Sequence, residues 1–222
     1  MIAILGKIKY YTAAIAVAGL LFIVMSVITL IKVSNPPVDF YSLGPQDIKS
    51  QMHIAGDIDF VMDCVTSKVE ETRLLGVIKT SEKEEARTYG VPFMYQDDKG
   101  MVYIDAVMGM SANNSLDYGK IDRIIDASWK WWDDTTGTVP YPTESFKVDG
   151  LTRKMNKQEK ELYIEYLVYC GYSESEANQM LVPYVVSNVS KSRNVSSIII
   201  GAVLLLVGGI ITALGFIFAK EY

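Results

Sequence analysis

The sequence predicts an α+β domain held between two membrane-spanning helices, and three observations carry that expectation. Long apolar runs sit at opposite ends of the 222-residue chain. Period-two alternation dominates the first half of what lies between them. Helix-capping patterns dominate the second half.

The first apolar run extends from Tyr10 to Ile31 and ends at Lys32; the second extends from Ser197 to Ala219 and ends at Lys220. Neither contains Asp, Glu, Lys, Arg or His. About 20 apolar residues cover the ~30 Å hydrocarbon core, so 10–32 and 197–219 are the expected spans. Residues 1–9 and 220–222 are then short tails, and 33–193 is one domain with its own core. Lys7 and Lys9 outweigh Lys32, which favours cytoplasmic tails and an extracytoplasmic domain in a two-span membrane protein. Lys191 and Arg193 oppose this, but long loops translocate largely regardless of charge. No small-residue cleavage pattern follows the first run, so it reads as an uncleaved anchor.

Charge is one-sided. The domain holds 17 of the 21 Lys and Arg residues and 25 of the 26 Asp and Glu residues, a net charge of −8. Such a domain repels nucleic acid, which is excluded as a partner. The lipid bilayer, and a protein partner or a second copy, are the expected contacts. Cys64 and Cys170 are the only cysteines. One disulfide would close a long loop, but two free buried thiols are favoured.

Through the domain, Ser34-Asn35-Pro36-Pro37 reads as an extended linker. From residue 52, Met52, Ile54, Ile58, Phe60, Met62 and Cys64 alternate with His53, Asp57, Asp59 and Asp63. This predicts a strand or bulged strand pair with one buried face. Residues 88–95 and 101–108 flank a hairpin-length loop ending in Gly100. A short strand is expected at 145–148, before an Asp149-Gly150 turn. Helical spacing of Ile121, Ile124, Ile125, Ser128, Trp129 and Trp132 predicts a helix over 116–132. Capping boxes at Asn156–Glu159 and Ser173–Glu176 open two more helices. Gly171 stops the first of these, and Pro183 ends or kinks the second. Helices are expected to cover one face of the sheet.

Phe146-Lys147-Val148-Asp149-Gly150, Lys154-Met155, Tyr169-Cys170-Gly171-Tyr172-Ser173-Glu174, Pro183-Tyr184 and Gly56-Asp57-Ile58-Asp59 carry a resemblance. With them the chain resembles an uncharacterised family of small Gram-positive bacterial membrane proteins with two terminal transmembrane helices. The resemblance implies that architecture and no activity.

His53, Asp57 and Asp59 are the candidate metal ligands, since imidazole and carboxylates suit a divalent cation. Residues six apart on one strand lie about 20 Å apart, so no metal site or other cofactor is expected from this row. Trp129, Trp131 and Trp132, followed by Asp133 and Asp134, are the candidate interaction residues, because tryptophan is enriched at binding hot spots. Core packing of Trp129 and Trp132 is the competing reading. Gly201, Gly208 and Gly215 recur every seven residues in the second span, and Thr12, Gly19 and Ser26 share that spacing in the first. Small residues on one stripe let membrane helices approach closely. No phosphate-binding loop, G-x-S-x-G, H-E-x-x-H or C-x-x-C pattern occurs. The expectation is a non-enzymatic interaction or assembly protein of the cell envelope. A channel or transporter subunit and an extracytoplasmic metal-dependent enzyme are the alternatives.

Overall fold

The computed structural model describes residues 2–74 and 78–219. In chain order the elements begin with helix α1 (Ile2–Ser34) and strands β1 (Val38–Asp39), β2 (His53–Ile58), β3 (Cys64–Leu74), β4 (Ile78–Gln96) and β5 (Val102–Ala112). Helix α2 (Ser115–Trp132), strand β6 (Phe146–Lys154), helices α3 (Lys157–Tyr169) and α4 (Glu174–Met180), strand β7 (Leu181–Asn188) and helix α5 (Lys191–Ala219) follow. The chain forms two compact units, Met1–Asn35 with Ser190–Tyr222 and Pro36–Val189.

In the first unit, α1 and α5 contain Tyr10–Ser34 and Asn194–Ile217, each long and apolar enough to cross a membrane. The second unit is α+β. Its seven-stranded sheet has the order β1-β2-β6-β7-β5-β4-β3. Pairs are antiparallel except β1 with β2 and β5 with β7, which are parallel. Val38 pairs with Ile54, Ile54 with Gly150 and Gly150 with Asn188, so the first and last strand residues share one row. Three strand spacings separate them, about 14 Å.

Helices cover both faces of this sheet, not one. Tyr118, Ile121 and Ile124 of α2 pack with Ile54, Val91, Phe93, Met108 and Val148 on one face. Tyr163 and Leu167 of α3 and Ala177 of α4 pack with Met62, Val107 and Val185 on the other. The cause is visible in β5, where residues 106–112 are all buried. A strand buried on both faces reads as a continuous apolar run rather than an alternation. The helix starts match their capping residues: Asn156 accepts from the Glu159 N–H at 2.9 Å, and Glu159 accepts from the Asn156 N–H at 2.8 Å. Such caps stabilise a helix by about 1 kcal/mol.

Four further expectations are corrected. The alternating row from residue 52 is not one face. Ile54 and Ile58 join the first core, whereas Phe60 and Met62 join the second, because residues 59–63 leave the strand. Asp149-Gly150 is not a turn. It lies inside β6, where a Cβ on Gly150 would sit 2.0 Å from the Ser187 carbonyl oxygen, so glycine is required by close approach of β7. Pro183 does not end a helix: α4 stops at Met180 and Pro183 lies in β7. The register shifts there, from Val107↔Leu181 to Gly109↔Val185, so the missing N–H falls at an irregularity. Finally, the strand expected over 88–95 is longer: β4 runs past its last β5 partner, Arg87, and pairs with β3 alone out to Ile78, forming a two-stranded ribbon.

Candidate aromatic and acidic surface

The segment from Asp59 to Asp63 crosses between β2 and β3, and backbone groups of Val61, Met62 and Asp63 are tied down by hydrogen bonds. The Met62 N–H donates to the Gly90 carbonyl at 2.8 Å, and the Gly90 N–H donates to Asp63 at 2.9 Å. From α2, the Ser128 hydroxyl accepts from the Val61 N–H at 3.2 Å, and the Trp129 indole N–H donates to the Met62 carbonyl. Backbone groups held this way are costly to disturb. Trp129 is thereby a structural residue.

Beside this clamp, Asp59 stands at the edge of a cluster of aromatic rings. Phe60 is buried and meets Trp131 edge-on at 6.0 Å and Trp132 at 6.1 Å. Trp131 meets Tyr141 edge-on at 4.9 Å. Tyr41 follows Phe40, which anchors it by stacking on Phe93 at 5.1 Å. Both tyrosine hydroxyls donate to Oδ1 of Asp59, Tyr41 at 2.5 Å and Tyr141 at 3.1 Å. Burial, then the Asp59 carboxylate, holds both phenols well above their ordinary range, so they remain donors. Tyr41 is 54% exposed and Tyr141 37%, so the cluster opens to solvent. Pro140 and Pro142 flank Tyr141, and their fixed φ limits the motion of the loop that presents it.

Asp133 and Asp134, the acids expected beside the tryptophans, have other roles. The Asp133 N–H donates to Trp129 as the helix ends. Asp134 accepts from the Thr136 hydroxyl, then from the Val139 and Thr136 N–H groups, which hold its carboxyl well below the usual range. Asp59 takes the place expected of them. Tyr41 and Tyr141 are the residues that sequence reasoning missed. Only the Pro-Tyr-Pro triplet signalled Tyr141 as a rigidly presented aromatic, and nothing local linked residue 41 to residue 59.

The structure does not bring His53, Asp57 and Asp59 together. His53 Nε2 lies 2.7 Å from Asp149 Oδ1. Asp57 stands opposite Lys147 across the β2–β6 ladder and shares a shallow cleft of about 230 Å³ with it. Asp59 is engaged by the tyrosines. Among the described residues no three His, Cys, Asp or Glu side chains converge on a metal-sized site. Cys64 is half-buried and Cys170 exposed, and they are not bonded to one another, so the expectation of two buried thiols is corrected for Cys170.

In the helix unit the small-residue stripes face one another. A Cβ on Gly19 would lie 2.6 Å from the Gly201 carbonyl, and one on Gly201 would lie 2.7 Å from that of Gly19. A Cβ on Gly208 would lie 2.7 Å from the Thr12 carbonyl and 2.8 Å from the Ala16 nitrogen. Thr12 and Thr212 share a hydroxyl hydrogen bond of 2.8 Å, and Thr212 also donates to the Gly208 carbonyl. Thr12 and Ser26 are buried, and Gly215 is half-buried.

Fold and helices together define a class: an α+β domain flanked in sequence by two helices long and apolar enough to cross a membrane. Residues 5–219 match the family model described as a domain of unknown function (DUF8577), and the chain belongs to that family. No curated protein and no solved structure matches the chain.

Proposed function

We propose that the protein is a two-span, membrane-anchored, non-enzymatic interaction protein of a bacterial envelope, with its central domain outside the cytoplasm. In this reading the domain docks a partner polypeptide on the surface made by Tyr41, Asp59, Trp131 and Tyr141. The observation that carries it is that surface: aromatic side chains from three separate segments are held rigidly yet left open to solvent. Rigid aromatics are the usual anchors of protein interfaces, because they bury large area at low entropic cost. The helix pair supports the anchoring half of the reading. Its small residues are turned inward to one another and its Ile, Leu and Phe side chains outward, which suits lipid.

Site-specific photocrosslinking in intact membranes tests the docking half. A photoreactive phenylalanine at Tyr141 should give one discrete adduct that disappears when Trp131→Ala is added. The same probe at Leu116, which is 85% exposed and outside the cluster, should give none. Equal adducts from both positions, or a Tyr141 adduct indifferent to Trp131→Ala, would contradict the reading.

A further inference from the structure

Asp59 presents a carboxylate among aromatic rings with both protein hydrogen-bond donors directed at the same oxygen, Oδ1. Among the described residues no cationic side chain pairs with it. Aromatic faces are electronegative, so rings around an unneutralised carboxylate attract a cation twice over. On the proposed docking reading, we infer that this surface receives a guanidinium or ammonium side chain, an arginine or lysine, from the partner polypeptide.

Two features favour a side-chain cation over a quaternary ammonium headgroup. A guanidinium brings N–H donors for Oδ2 of Asp59, to which no described hydrogen bond is made, whereas a choline group brings none. Its flat face also stacks on tyrosine and tryptophan rings. Complementary charge would then steer the encounter as well, because the domain around the site is strongly acidic.

The test uses the full chain in nanodiscs of zwitterionic lipid, with fluorinated tryptophan and the Trp131 signal assigned by Trp131→Phe. Nα-acetylated argininamide, whose only charge is the guanidinium, should shift that signal saturably. Nα-acetylated citrulline amide, its neutral near-isostere, should not, and choline chloride should bind more weakly than argininamide. Asp59→Asn keeps an acceptor for both tyrosine hydroxyls and should weaken argininamide binding about fivefold, as expected for an exposed cation site. Equal shifts with argininamide and citrulline amide would show an apolar surface and overturn the inference, and this comparison needs no variant to fold. Tighter response to choline would assign the site to lipid headgroups and overturn it too. A Tyr141 adduct that depends on Trp131 but resists excess argininamide would remove the cation and leave the docking reading standing.

Discussion

Gly208 in the helix pair and Trp131 in the central domain stand at opposite ends of a contrast in how surface is used. At Gly208 a single added carbon would meet backbone at 2.7 Å, so nothing but glycine closes that contact. At Trp131 a large ring packs on Phe60 and Tyr141 while part of it stays in solvent. The first contact is satisfied by the chain itself: two backbones touch, and a threonine pair completes the polar bonding. Among the described residues the second is left partly open. Small, interlocked side chains close a contact within the chain; large, half-open ones leave the kind of surface on which the proposed docking rests.

Three substitutions or conditions sharpen this contrast, beginning with the largest effect. Trp129→Ala should destabilise the domain by about 3 kcal/mol, since it strips a partly buried ring from the second core and orphans the Met62 carbonyl. Trp131→Ala should cost clearly less while abolishing the Tyr141 adduct. Thermal or denaturant unfolding of both variants decides it; equal losses would mean that Trp131 is also core. Next, Gly19→Leu should weaken the α1–α5 contact by about 1–3 kcal/mol through overpacking. A disulfide engineered between Thr12→Cys and Thr212→Cys should form in lower yield, while domain unfolding stays unchanged. An unaffected yield would show that the helices tolerate separation.

The smallest effect is on pH. Burial raises the Glu159 pKa, but the Arg153 guanidinium and the Asn156 N–H more than offset it, so its carboxyl titrates below the ordinary range. A folded-state pKa below the unfolded one gives stability that is present above the unfolded value and lost as pH falls through the folded one. The domain's melting temperature should therefore drop between about pH 6 and about pH 3, and Arg153→Met should flatten that slope. The helix contact has no carboxylate between residues 10 and 32 or 197 and 219, so the Thr12–Thr212 crosslink should not follow it. A crosslink that falls in parallel would couple the two regions.

Local signals were legible in the sequence and long-range ones were not. The caps at Asn156 and Ser173, the stop at Gly171 with φ +101°, and the 96–100 hairpin loop depend on neighbours within a few residues. The small-residue stripes were equally readable, because a seven-residue period keeps them on one helix side. By contrast, β7 is a central strand whose place is set by Gly150 and the β5 ladder, partners far away in sequence. A proline within eight residues of a capping box looks locally like the end of a helix. The candidate surface failed in the same way. Trp131 and Asp59 each stand out in the sequence, but their meeting depends on a crossing segment tied down by Ser128, Trp129 and Gly90.

The proposed placement of the domain outside the cytoplasm can be tested most directly at exposed Cys170. Burial raises its thiol pKa, so labelling with a membrane-impermeant maleimide is best done at mildly alkaline pH. In a Cys64→Ser background, intact cells should label to the same extent as permeabilised ones, and Cys170→Ser should abolish the signal. Labelling only after permeabilisation would place the domain in the cytoplasm and contradict the account.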